Sequence, residues 1–321
     1  SPLDVRDLEK PRCLAFHLLN ENKASREAAD RVMQRSLNKA SGVDGVTTRM
    51  FRKGYEGKID ALRLELKRGT YQPQPVRRVM IPKANGKMRA LGIPCLRDKI
   101  VQEAVRMALE PIFEVEFHDN SYGFRPNRNT HHAVFRCQHL MRSGFSWVIE
   151  GDVKACFDEI SHQSILRAVR EKVMDNKFLD LLRRFLKSGV KVGDVVMPTE
   201  KGVPQGGVIS PLLANAVLNK LDWFLHRKGT HDAAMIRAAY HRRPNVRFVR
   251  YADDWCVFVT RASKRYVHTL RDQIAELLSR ECGLRLSVDA HADLVLQIVT
   301  IARALPAPAP WSSLGSQKKS E

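Results

Sequence analysis

Two adjacent aspartates, Asp253 and Asp254, interrupt the apolar run FVRYADDWCVFV at residues 248–259. Both flanks read as short strands, so the pair marks a reversal, the tip of a hairpin that otherwise calls for burial. Neighbouring carboxylates repel one another, and in a buried setting they destabilise the fold unless a cation or solvent compensates. Asp is also a favoured turn residue, and taken alone the pair reads as an exposed bend. A third acid changes the balance. Asp152 ends an expected strand, Ser146 to Ile149 running into Gly151-Asp152, and precedes a helix-like segment; by itself it would be a helix cap. A strand-end Asp beside a hairpin-tip pair places three carboxylates at one sheet edge, the hard oxygen ligand set that magnesium prefers. Two such ions, about 3.5 to 4 Å apart, can activate an attacking hydroxyl and steady the leaving oxygen of a phosphoryl displacement.

Charge points to a partner of the same chemistry. The 321 residues carry 54 Lys and Arg against 35 Asp and Glu, a formal charge of +19, and a folded surface of that kind favours a polyanion. With 44% hydrophobic residues the chain can bury a core, which excludes wholesale disorder, and the length suits one large domain or two. Six scattered cysteines show no CxxC pair and no metal-ligand spacing with the eleven histidines, so they read as reduced thiols of a cytoplasmic protein. The apolar stretch 290–305 is too short and too charged to span a bilayer, and no membrane contact is expected. The opening, which begins at Ser1, lacks the order of a secretory signal and reads as a processed or cut chain.

Periodicity predicts helices over 21–40, Ile59–Lys67 (stopped by Gly69), 100–113, from a cap at Thr130 through Arg142, Leu166–Leu186, from a Ser210 cap to about Lys228, and 264–280. Pro75–Pro82 alternates as a strand, and Asn85-Gly86 makes it one arm of a basic hairpin. Residues 195–208 read as loop.

The segments GVDG (42–45), RRVMIPKANGKMRALGIP (77–94), SYGFRPNRNTHHAV (121–134), WVIEGDVKACFDEI (147–160), GVPQGGVISPLLANAVLNKLD (202–222) and RYADD (250–254) resemble, in this order, those of bacterial reverse transcriptases of the group II intron (maturase) type. The resemblance implies an α+β fold with polymerase-like fingers and a palm built on an antiparallel sheet. Residues 1–145 would be fingers and 146–288 the palm, with 289–321 a divergent, disordered tail. It implies that Asp152, Asp253 and Asp254 are the catalytic acids and hold metal together with the backbone of Val153. Lys83 and Arg89 would grip the incoming triphosphate, Gln205 would lie against the nucleotide, and the Phe157 ring would exclude a ribose 2′-hydroxyl. Arg125 is assigned to template or fingers architecture. Tyr251 either packs near the primer end or fills the hairpin core, and His131-His132 starts a helix rather than forming a ligand pair. The implied partners are an RNA template, a DNA primer, deoxynucleoside triphosphates, Mg2+ and intron RNA.

The chain departs from the family after the hairpin. Leu284-Arg285-Leu286-Ser287 is present, but the family's following Lys-Thr pair and Phe-Leu-Gly strand are replaced by Ala/Pro-rich sequence, as truncation or a frameshift would produce. No basic helical thumb and no C-terminal Cys/His cluster follow. The sequence leaves three readings: an RNA-directed DNA polymerase, an inactive remnant or RNA-binding splicing factor on the same fold, or a domesticated or defence-associated relative that shares the palm motifs.

Overall fold

A computed structural model of the chain describes residues 16, 19, 21–82, 86, 88–153, 155–229 and 244–286, the side chain of Asp152 excepted. Helices α1 (Asn22–Arg35), α2 (Thr48–Arg52) and α3 (Tyr55–Arg68) come first; α3 stops at Gly69, whose φ of +70° lets its N–H close on the last turn. Strands β1 (Val76–Pro82) and β2 (Met88–Ile93) pair antiparallel from Arg77↔Ile93 to Pro82↔Met88. Lys83 lies in their connection, outside the described residues. Helices α4 (Leu96–Glu114) and α5 (Thr130–Arg142) lead to β3 (Trp147–Asp152), the short α6 (Cys156–Glu159), then α7 (His162–Arg170) and α8 (Asn176–Leu186). Strands β4 (Val190–Val192) and β5 (Val195–Met197), helix α9 (Ser210–Lys228), strands β6 (Asn245–Tyr251) and β7 (Asp254–Thr260), and α10 (Lys264–Leu277) with a closing π turn, Leu278–Cys282, complete the described chain.

Four local expectations are corrected. The run Leu166–Leu186 is two helices, because Asp175 turns out of α7 and caps α8, its carboxylate accepting from the Phe178 N–H at 3.2 Å. Part of the expected loop at 195–208 is strand: β4 and β5 form a hairpin around Gly193, which has a φ of +58°. Ser210 caps nothing; its hydroxyl donates to the Pro204 carbonyl at 2.9 Å, and Ile209 stands at the cap position. The cap of α5 is Asn129, not Thr130: its side chain accepts from the His132 N–H at 3.0 Å.

Two sheets organise the molecule. One has strand order β2-β1-β4-β5, with β1 and β4 parallel over Val76↔Val190 and Arg77↔Lys191. The other is antiparallel, in order β3-β7-β6. Its central strand is buried on both faces, and alternation assigns each face to a different core. Ile149, Val257, Phe248 and Val246 join the large cluster with α7, α8 and α9, while Val148, Phe258 and Val249 pack with Ala133, Leu140 and Met141 of α5. With helices clamping both faces, a one-residue slip of β7 would exchange the two sets, so the register is strongly fixed. Cys95, Cys137, Cys156, Cys256 and Cys282 are free thiols. Among the described residues no helix is long and apolar enough to cross a membrane.

Candidate active site

The register of the three-stranded sheet sets Asp152 directly opposite Asp254, the last pair of the β3–β7 ladder. Opposed positions in antiparallel strands bring their Cβ atoms to about 4.5–5.5 Å. Asp254 is exposed and pairs on its other side with Tyr251, which leaves Ala252 and the half-buried Asp253 as a two-residue turn. All three acids thus belong to one end of one sheet. The approach to Asp152 is specific: the Trp255 indole lies across strand β3 at Gly151, where a Cβ would come within 2.0 Å of the ring.

A left-handed turn holds the acids. Ala252 has a φ of +60°, a conformation that costs an L-residue about 1–2 kcal/mol. The structure around it fixes this conformation through Arg250, a fully buried guanidinium. Its Nε and Nη2 donate to the two carboxylate oxygens of Asp222 at 2.8 and 2.6 Å, a bidentate pair with neither side chain exposed. Nη1 donates to Asn215 Oδ1 and to the carbonyl of Ala252, both at 2.8 Å, and Nη2 also reaches Ser121 Oγ at 2.8 Å. Those five bonds match the five donors of a guanidinium, so the group carries no unmet N–H. The Ala252 carbonyl is the acceptor in the peptide that joins Ala252 to Asp253, so the buried cation grips the turn immediately before that acid. From the other side the segment after Ser121 closes in: Tyr122 N–H donates to the Arg250 carbonyl at 2.8 Å, and a Cβ at Gly123 would meet Ala252 N at 2.3 Å. Asn215 completes the ring of contacts by donating to the Gly123 carbonyl at 2.8 Å.

A second group joins the β1–β2 hairpin to the Pro-Gln-Gly-Gly loop. Arg89 Nε donates to Gln205 Oε1 at 2.7 Å, and Gln205 Nε2 donates to Asp158 Oδ2 at 2.9 Å. The Gln205 carbonyl accepts from Gly92 N–H at 2.7 Å, and Gly206, with a φ of +109°, fits only because it lacks a Cβ, which would strike the Gly92 carbonyl at 2.6 Å. Burial raises the Asp158 carboxyl above its ordinary range, opposed by the nearby Arg78 and by the Gln205 bond. Gly92, Asp158 and Gln205 border a cleft of about 600 Å³ that also reaches Arg78; Arg89, Asp253 and Asp254 are not in its lining. Phe157 is buried, its ring edge-on to Phe124 at 6.2 Å, and its carbonyl accepts from Val203 N–H at 2.6 Å.

The structure therefore gathers Asp152, Asp253 and Asp254 at one sheet end by register, and Arg89 and Gln205 by direct bonding. Arg125 is a scaffold residue: its guanidinium bonds Glu114 and the carbonyls of His118 and Ser121. Tyr251 packs with the α5 cluster, filling the hairpin core, and His131 and His132 lie in the first turn of α5. Arg250, Asp222, Asn215 and Asp158 carry no role in the sequence reading. A cation in a strand buried on both faces was the available signal, since Arg is almost never fully buried without a partner.

Reverse transcriptases work with divalent metal ions. Among the described residues no three His, Cys, Asp or Glu side chains form a metal-holding group, and the Asp152 carboxylate falls outside that set. The donor types do fit a hard cation. Three carboxylates and the Val153 carbonyl supply only oxygen, and that carbonyl, though it accepts from Cys156 N–H at 3.2 Å, keeps a second lone pair.

Residues 81–289 match the family model of reverse transcriptase (RNA-dependent DNA polymerase), and the chain belongs to that family. Its relatives narrow the class. Protein YkfC of Escherichia coli K12 is 40% identical over 296 residues, covering 85% of this chain and 77% of YkfC. The group II intron-encoded protein LtrA of Lactococcus lactis is 44% identical over 189 residues, 59% of this chain but only 31% of LtrA. The chain is a reverse transcriptase/maturase of the group II intron type. Among solved structures, the partial Cas6-RT-Cas1–Cas2 complex is similar at 16% identity and a TM-score of 0.47, covering 83% of this chain and 42% of that one.

Proposed function

We propose that this chain adds deoxynucleotides to the 3′-hydroxyl of a DNA primer on an RNA template, releasing pyrophosphate, at the sheet end that holds Asp152, Asp253 and Asp254. The observation that carries the reading is the register: Asp152 opposes Asp254, with Asp253 in the adjoining turn. Magnesium, bound there by these acids and the Val153 carbonyl, would lower the pKa of the primer hydroxyl and steady the leaving oxygen. Arg250 holds the turn so that the acids need not be ordered by the substrate, which is the preorganisation that charge-stabilising sites depend on. Arg89 supplies cationic donors toward the triphosphate, joined by Lys83 of the same hairpin, and Gln205 fixes where Arg89 stands. Phe157 presents a rigid ring that excludes a 2′-hydroxyl. In this reading residues 1–145 are fingers and 146–288 palm, and the protein works in the cytoplasm on intron RNA.

Primer extension on an RNA template with Mg2+ and deoxynucleotides tests it. Extension by the wild type and its loss in Asp253→Asn are expected; product from both proteins, or from neither at high enzyme concentration, removes the claim.

A further inference from the structure

Helices α7 and α8 bury their inner faces, Ile165, Val169, Leu181 and Leu182 among them, in the main core. Their outer edges leave a groove of about 450 Å³ whose lining is unusual in its charge: Arg167 and Arg170 on α7, Arg183 on α8 and Lys187 just after it, with Leu166 and Leu179 among the apolar lining and no carboxylate among the described residues. Exposed Arg170 and Lys187 have no carboxylate partner among the described residues. Among the described residues Arg167 meets only Glu281, at 4.0 Å, and Arg183 only exposed Asp180 one turn away, a surface pair worth about 0–1 kcal/mol. Four cations facing one cleft repel each other until a polyanion enters it.

We propose that this groove anchors the sugar–phosphate backbone of a duplex RNA stem outside the polymerase centre. The geometry favours a backbone over a single phosphate: Arg167 and Arg170 are about 4.5 Å apart along their helix axis and Arg183 and Lys187 about 6 Å, so cations on both rims meet successive phosphates of a strand. Three of the four are Arg, whose planar fork matches phosphate oxygens in pairs. Among the described residues the groove has no Phe, Tyr or Trp, and its one ring, His162, is buried and held by a backbone carbonyl, so it offers no open platform for unpaired bases and suits a strand whose bases are already paired. The groove is also tied to the nucleotide side. His162, at its end, bonds the Gly202 carbonyl at 2.9 Å, and Gly202 borders the larger cleft. The choice of RNA over DNA rests on the proposed reaction; the groove itself rests on charge and shape.

The test uses the full chain, a fluorescein-labelled 16-base-pair RNA hairpin and a DNA hairpin of the same sequence, without nucleotides, across a KCl series. Arg170→Gln combined with Lys187→Gln changes two exposed residues and leaves the core alone, which a thermal melt verifies. Expected are RNA binding weakened tenfold or more at 0.1 M salt and a salt slope shallower by roughly 1–2, while primer extension at saturating template–primer keeps its rate. Unchanged RNA affinity and slope would overturn the groove, and an equal loss for the DNA hairpin would overturn its assignment to RNA. Ultraviolet crosslinking of the wild type to a 4-thiouridine-bearing stem should label peptides within 162–187; labelling confined to other segments refutes the proposal. If primer extension is absent in the wild type yet stem binding depends on Arg170 and Lys187, the groove stands and the proposed reaction falls.

Discussion

Replacing Arg250 with Met removes a cation of similar length from a site where both it and Asp222 are fully buried. The Asp222 carboxylate is then stranded, together with Asn215 Oδ1, the Ala252 carbonyl and Ser121 Oγ, each of which loses its donor from Arg250. Breaking a buried pair on one side costs about 3–5 kcal/mol, a large part of the roughly 5–15 kcal/mol that holds an ordinary domain folded. Adding Asp222→Leu removes the stranded charge, and apolar replacement of a whole buried pair is often neutral or better. The double variant should therefore recover at least about 2 kcal/mol in urea denaturation. It should not recover extension, because the Ala252 carbonyl beside Asp253 still lacks its anchor. The activity defect should appear as a lower single-turnover rate and a higher Mn2+ midpoint with template–primer affinity unchanged, a signature that lost stability alone would not produce. A cost below about 1 kcal/mol for Arg250→Met, or wild-type turnover in the double variant, would refute the reasoning.

Other perturbations have signed outcomes. Asp98 is buried, accepts from the Tyr71 hydroxyl and from Gln74 N–H, and burial raises its carboxyl to about 6. Because the folded state holds this proton more tightly than the unfolded chain, stability from this group is present below about pH 4 and lost as pH rises to about 6, by about 3 kcal/mol. Asp98→Asn should remove that component; parallel denaturation curves for both proteins across pH 4–7 would contradict it. Gly123→Ala drives a Cβ into the Ala252 backbone at 2.3 Å and should depress extension more than it depresses the melting temperature; equal extension rates would count against the packed turn. Phe157→Val should raise ribonucleotide incorporation relative to deoxynucleotide by more than tenfold, read from paired single-nucleotide extensions; an unchanged ratio removes the ring from specificity.

Much of this was legible in the chain because local chemistry and long-range structure agree. The strands around Asp253-Asp254 show apolar residues on both faces, and a central strand clamped by helices is where such a run belongs. Gly69 ended its helix as expected because only a left-handed residue closes that turn without strain. Errors arose where a residue has two uses. Ser210 before Pro211 looks like a cap, yet its hydroxyl is taken by the Pro204 carbonyl of the loop that carries Gln205. The apolar phase from Leu166 to Leu186 runs across a break whose sign was Asp175, a cap inside an apparent helix. The Asp152↔Asp254 register and the Arg250–Asp222 pair link distant segments, and no local pattern encodes them.

Anomalous scattering tests the centre most directly, using crystals of the full chain with an RNA–DNA template–primer, a non-hydrolysable deoxynucleotide analogue and Mn2+ in place of magnesium. Two manganese peaks about 3.5–4 Å apart, within reach of Asp152, Asp253 and Asp254, are expected. Manganese bound elsewhere, with the Asp152 carboxylate turned from the hairpin, would contradict the assignment of these acids to nucleotidyl transfer.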